Sequence, residues 1–235
     1  MLYITGDTHG DILRFTGEGS FCRGNLKKDD IIIVCGDFGF IFYPEGTAGA
    51  ERQKNELETL SKQPYTILWV DGNHENFDLL GRFPTEERYG GTVHKIRHNI
   101  FHLMRGHVYD IEGKTVFTMG GAYSIDRCAR TLGRSYWEEE LPSNSEYREA
   151  TKNLRESGNK VDIIVTHTAP RRIIRSMGCY PDDHDMELTG FFDWLTDEIS
   201  FEKWFFGHFH QDIILNEKFY LMYNKIYDVE NDRFL

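Results

Sequence analysis

Leu2-Tyr3-Ile4-Thr5 runs directly into Gly6-Asp7-Thr8-His9-Gly10. A short apolar run bounded by glycine reads as a buried strand, and the Asp and His fall just past its carboxyl end. The same event recurs four times. Ile31-Ile32-Ile33-Val34-Cys35 enters Gly36-Asp37, and Ile67-Leu68-Trp69-Val70 enters Asp71-Gly72-Asn73-His74-Glu75. Val161-Asp162-Ile163-Ile164-Val165 enters Thr166-His167, and Trp204-Phe205-Phe206 enters Gly207-His208-Phe209-His210. One such junction is noise. Five of them gather metal-type ligands at one edge of a sheet, because ligands of open α/β sheets bind beyond the carboxyl ends of the strands.

Working outward, Thr47–Gln63 is polar with apolar positions at Leu57 and Leu60, a crossover helix that Pro64 ends before the next strand. Strand–helix–strand order predicts a parallel sheet with right-handed crossovers. From Thr92 to Ala122 the runs shorten to Val93–Ile96, Ile100–Leu103, Val108–Ile111 and Thr115–Met119, with a hairpin turn at Glu112-Gly113-Lys114. This predicts a second, antiparallel-leaning sheet. Ser143 with Glu146 three residues on makes a capping box and starts a helix over Ser143–Ser157. A strand at Val161–Val165, a helix near Leu188–Ile199 and a strand at Lys203–Phe206 follow, and the tail alternates at Asp212–Leu215, Phe219–Tyr223 and Ile226–Val229. Two sheets packed face to face with helices outside, in one domain spanning residues 1–235, fit this order.

The bulk numbers narrow the function. The 235 residues are 40% hydrophobic and 28% charged, an ordinary globular balance. A formal net charge of −11 argues against a nucleic-acid polymer as partner, because backbone phosphates demand clustered Lys and Arg. It leaves room for a small phosphoester held by metal ions. Cys22, Cys35, Cys128 and Cys179 are scattered, which suits a reduced cytoplasmic setting. No run approaches 18 apolar residues and no leader pattern opens the chain, so neither membrane insertion nor secretion is expected. Oligomeric state is left open.

Asp7, His9, Asp37, Asn73, His167, His208 and His210 are oxygen and imidazole donors with no thiolate among them. That mixture suits Mn, Fe, Zn, Ni or Co and argues against a structural thiolate zinc site. Seven ligands exceed one tetrahedral ion and suit two ions sharing a carboxylate.

The ordered set G-D-x-H-G, G-D, G-N-H-E, a lone His after a strand, and G-H-x-H resembles the calcineurin-like metallophosphoesterases, from Asp7 to His210. The resemblance implies a four-layer α/β/β/α sandwich of two mixed sheets flanked by helices. It also implies a centre of two divalent ions, manganese first among them. Asp7, His9, Asp37 and His210 would hold one ion. Asp37, Asn73, His167 and His208 would hold the other, with Asp37 bridging. His74 would meet the leaving group as the acid, and Asn73 would also stand beside the substrate. The implied reaction is hydrolysis of a phosphate mono- or diester by hydroxide formed between the ions. A bis-nucleosyl tetraphosphatase or protein-phosphatase-like activity is the nearest alternative, and a scaffold without catalysis is the alternative of another class.

The pattern departs from those phosphatases after Asp37, where Phe38-Gly39-Phe40-Ile41-Phe42-Tyr43 replaces an Asp-Arg-Gly stretch whose arginine grips phosphate. The aromatic segment is positioned to stack on a base or phenyl group. The cation is then expected from Arg127, ahead of Arg130, Arg171 and Arg172, and Glu75 or Asp71 would orient His74. His94, His98, His102 and His107 follow no ligand spacing and read as packing or surface residues. Asp182-Asp183-His184-Asp185 reads as a solvated loop, and Trp137-Glu138-Glu139-Glu140 as an exposed loop able to cover the site.

Overall fold

The computed structural model describes residues 1–235. Strands β1 (Leu2–Thr5), β2 (Ile31–Val34), β3 (Thr66–Trp69), β4 (Thr85–Arg88), β5 (Gly91–Arg97) and β6 (Ile100–Leu103) build one sheet. A second, six-stranded sheet follows in β7 (Val108–Ile111), β8 (Lys114–Met119), β9 (Ile163–Thr166), β10 (Lys203–Phe206), β11 (Ile213–Leu215) and β12 (Phe219–Leu221). The chain then returns to the first sheet with β13 (Ile226–Asp228) and β14 (Arg233–Phe234). The orders are β14-β13-β1-β2-β3-β6-β5-β4 and β11-β12-β10-β9-β8-β7. Both sheets are mixed, with a parallel centre and antiparallel edges.

Side-chain alternation along each strand makes the layers. Leu2 and Ile4, Ile31 and Ile33, Ile163 and Val165, and Phe205 lie in one core between the sheets. Their neighbours Tyr3, Ile32 and Val34 face outward and pack on Leu57 and Leu60 of the helix Ala48–Ser61. Ile164, Trp204 and Phe206 face outward from the second sheet onto Ala150 and Leu154 of the helix Asn144–Glu156 and onto Leu188, Phe192 and Leu195 of the helix Met186–Glu198. The result is the four-layer α/β/β/α sandwich. The caps are local and follow the sequence. Thr47 accepts from the Ala50 amide, and Ser143 and Glu146 form the reciprocal box. Glu112 and Gly113 take φ of 52° and 73°, the left-handed pair a two-residue hairpin requires.

The middle of the chain differs from its reading. The runs between Thr92 and Ala122 do not share a sheet: β5 and β6 extend the first, and β7 and β8 begin the second. The second sheet is not antiparallel-leaning, since β8, β9, β10 and β12 run parallel. Period-two alternation marks a strand but carries no information about its partner.

Candidate metal centre

The parallel centres of the two sheets bring the carboxyl ends of β1, β2, β3, β9 and β10 to one rim. Asp7, Asp37 and Asn73 come from the first sheet, and His167, His208 and His210 from the second. Donor atoms of Asp7, His9 and His210 lie within 4.8 Å of one another, as do those of Asp7, Asp37 and His167. Asp37 Oδ2 is 3.8 Å from His9 Nδ1 and 3.5 Å from His167 Nε2, so it stands between the two groups. His9 Nε2 and His210 Nε2 are 2.9 Å apart. Asn73 Oδ1 lies 3.1 Å from His167 Nε2, while its amide nitrogen donates to Ser124 Oγ at 3.0 Å. That bond turns the Asn73 oxygen toward the histidines and commits the nitrogen elsewhere. The His208 ring is 5.0 Å from that of His167.

Backbone conformation marks the same residues. His9, Asp37, His208 and His210 have φ of 47°, 45°, 69° and 51°. The left-handed region costs a non-glycine residue on the order of 1–2 kcal/mol, and such strain clusters at functional sites. Two glycines serve by having no side chain. A Cβ at Gly72 would fall onto the Asp37 carboxylate, and one at Gly207 onto that of Asp7.

The donor set has the electrostatics of a cation site. Asp7 and Asp37 are each about 1% exposed, and within 4 Å their carboxylates meet no Lys or Arg, only imidazoles, while Arg14 donates to the Asp7 backbone carbonyl. Burying a carboxylate without a full countercharge is costly. Burial pushes the Asp37 carboxyl up, but His167, His74 and His9 outweigh it and the net shift is downward. Burial drives His208 down to about 4 and also lowers His9, leaving both as neutral imidazoles, the form that ligates metal. Backbone amides complete the shell: His74 N donates to Asp37 Oδ1 at 2.8 Å, and His208 N to Asp7 Oδ2 at 2.9 Å.

His74 opens onto a cleft of about 460 Å³ beside this rim. Neither expected orienting carboxylate touches it. Asp71 is held by Arg105 and by His102 Nε2 at 3.1 Å. Glu75 is fully buried, accepts from the Phe38 amide at 2.7 Å, and is pushed well up by burial and by Asp37. The partner of His74 is Arg130, whose Nη1 and Nη2 lie 3.3 Å from Nδ1 and Nε2 of the ring. Equal contacts to both ring nitrogens place the guanidinium across the imidazole face. Burial lowers the His74 pKa, and Arg130 adds to that.

Several expectations about the cleft are corrected. Arg127 does not line it. Its guanidinium donates to the fully buried Glu140 carboxylate at 2.9 and 3.1 Å and stacks over Tyr123 and Tyr136. Arg171 and Arg172 turn away, to the Met186 carbonyl and to Asp193 and Asp197. Arg130 is the only Lys or Arg on the cleft wall. Phe38 and Phe40 are buried, with Phe38 stacked 5.0 Å from Trp69, so only Phe42 and Tyr43 reach the surface near His9 and His74. Trp137 and Glu140 are core residues rather than an exposed loop. Asp182 and Asp185 line the cleft, and Asp185 is only 4% exposed. Sequence reasoning ranked Arg130 behind Arg127 and read Asp185 as solvated, because each reaches the cleft through a folded loop with no strand-end signal nearby.

A two-sheet sandwich with carboxylates, imidazoles and an amide at the strand ends defines a class: metal-centred hydrolytic sites of the phosphoesterase type. The calcineurin-like phosphoesterase family model matches residues 2–212, and the chain belongs to that family. Among solved structures, a provisionally assigned 5′-nucleotidase from Staphylococcus aureus, in complex with alpha-ketoglutarate, is similar with a TM-score of 0.53 at 14% identity. The match covers 99% of this chain and 52% of that one, so this chain spans about half the length of that protein. A phosphopantetheinyl hydrolase from Mycobacterium tuberculosis matches with a TM-score of 0.43 at 18% identity, over 95% of this chain and 89% of that one. No curated protein matched the chain. No helix is long and apolar enough to cross a membrane.

Proposed function

We propose that the chain hydrolyses small phosphate esters at a centre of two divalent ions, with manganese the first choice. The carrying observation is the pair of buried carboxylates, Asp7 and Asp37, that have imidazoles and no Lys or Arg within ion-pair distance. Asp7, His9, Asp37 and His210 would hold one ion and Asp37, Asn73, His167 and His208 the other. When bound, the ions would neutralise phosphoryl charge and make hydroxide available near neutral pH.

The remaining roles belong to the chain itself. Arg130 replaces Arg127 as the proposed phosphate-gripping arginine, because its guanidinium stands in the cleft against His74. Asn73 serves through its oxygen, since its nitrogen is bonded to Ser124. His74 donates a proton to the leaving oxygen. An ester phosphate pairing with Arg130 would relieve the repulsion that lowers the His74 pKa and so favour the protonated ring. Four unpaired cysteines, two of them buried, suit a reducing compartment such as the cytoplasm.

The test is turnover of p-nitrophenyl phosphate and its bis ester by purified protein with added Mn, alongside metal analysis. Turnover with two ions per chain is expected. Absence of turnover of either ester with both ions bound would sink the hydrolase reading in favour of a scaffold.

A further inference from the structure

Part of the cleft lining beside the metal rim has a chemistry of its own. Thr168 lies just past β9 on this wall, is 1% exposed, and its hydroxyl has no hydrogen-bond partner. A buried hydroxyl without a partner costs on the order of 1–3 kcal/mol, so a native one asks for an explanation. Asp185 lines the same wall. One of its oxygens accepts from the Tyr123 amide at 2.7 Å, and the other takes no bond from the protein. Asp182 is used differently, since it caps its own turn by accepting from His184. Tyr123, stacked 4.3 Å from His184, and Phe209 supply apolar surface beside these groups.

Charge is divided along the cleft. Arg130, paired with Asp126 at 2.7 Å, is the sole basic side chain other than histidine, and it stands at the His74 end. The Thr168–Asp185 side carries a carboxylate and no Lys or Arg in its lining, although Arg127, stacked on Tyr123, attracts that carboxylate from outside the lining. It can accept hydrogen bonds and would repel a second anion.

From the unpartnered Thr168 hydroxyl and the free Asp185 oxygen lining one cleft, we infer that this wall is the leaving-group subsite. It selects phosphomonoesters whose alcohol carries hydroxyl or ammonium donors and no second negative charge. The catalytic part rests on the hydrolase reading above; the recognition part does not. Polyphosphates and carboxylate-bearing esters are disfavoured by the same wall.

A matched pair tests this: glycerol 3-phosphate and 3-phosphoglycerate, which differ in a terminal hydroxymethyl against a carboxylate. With the Mn-loaded protein, KM for glycerol 3-phosphate should be at least about tenfold lower, because placing like charges together costs more than the ~1.4 kcal/mol that a factor of ten represents. Asp185→Asn should shrink that gap to about threefold or less. Thr168→Val should raise KM for glycerol 3-phosphate about fivefold. It should also leave Tm unchanged or higher, because the hydroxyl it removes bonds nothing in the protein. A structural role alone would lower Tm and leave the KM ratio fixed. Equal KM values for the pair would overturn the inference while p-nitrophenyl phosphate turnover upheld the hydrolase. Titration of the ¹⁵N-labelled Mn-free protein decides the recognition part even without turnover. Larger shifts of the Thr168 and Asp185 amides with glycerol 3-phosphate support it, and equal or reversed shifts overturn it.

Discussion

At the scale of single residues, the proposed centre would depend as much on missing atoms as on ligands. Gly72 and Gly207 lie one residue before Asn73 and His208, and each gives space to a carboxylate from a neighbouring strand end. Gly72→Ala should therefore displace Asp37, its backbone amide included, and lower Tm as well as metal affinity. Outer-shell changes of this kind cost about 10–100-fold in metal affinity. Calorimetric titration with Mn should show that loss, and an unchanged Kd would mean that Asp37 is not held as described. The left-handed backbone at His9, Asp37, His208 and His210 is consistent with the same tight geometry. Two neighbours, Asp71 and Glu75, do other work. Asp71 anchors a buried network through Arg105 and His102, and Glu75 pins the Phe38 amide that follows Asp37.

At the scale of elements, the segment between β8 and the helix Asn144–Glu156 shapes the substrate side. Glu140 accepts from the Ser124 and Trp137 amides and from Arg127, and so ties this segment into a compact loop that carries Arg130 to His74. Removing one partner of a buried pair costs about 3–5 kcal/mol. Glu140→Ala should loosen the loop, so trypsin should cut after Arg127, Arg130 or Arg134 well before the rest of the chain. A wild-type digestion pattern would show that the loop does not depend on this clamp. A second element-level effect concerns pH. His94 on β5 faces His102 on β6 at 3.0 Å, and burial followed by that neighbour lowers its pKa to about 4 from 6.5. The folded chain declines a proton that the unfolded chain takes, so this group lowers stability as pH falls from about 6.5 toward 4. His94→Gln should flatten that fall by about 1 kcal/mol, allowing for the part of the ring that solvent screens. Urea unfolding at pH 7 and pH 5 compares the two slopes.

At the scale of the molecule, the proposed ligands join five strand ends from two sheets. Ions bound there would act as a staple between halves joined by an apolar core and a few hydrogen bonds at the rim. Ligand at 100 times its Kd stabilises a fold by about 2.7 kcal/mol. For a chain of this size, that corresponds to a Tm rise of roughly 5–10 °C. Manganese should produce the rise and a chelator reverse it, as read by differential scanning calorimetry. An indifferent Tm would mean that the ion does not bridge the sheets.

The sequence by itself determined what is local. Strand runs, the Thr47 and Ser143 caps and the Glu112-Gly113 turn depend on residues a few positions apart, and the structure shows them at those places. The positions of the proposed ligands Asp7, Asp37, Asn73, His167, His208 and His210 at one rim were legible because each sits directly past an apolar strand, where chain direction alone delivers it there. Tertiary structure alone decided which sheet β5 and β6 join, because alternation does not name a partner. It also decided that Arg130 stands over His74 while Arg127 is spent on Glu140, two basic residues three positions apart with nothing local to separate them. The leaving-group wall is of the same kind. Thr168 and Asp185 are 17 positions apart and line the same cleft through the packing of the second sheet and its helices. The centre belongs to strand ends and is written along the chain, whereas the cleft belongs to contacts between distant loops and exists only once the chain has folded.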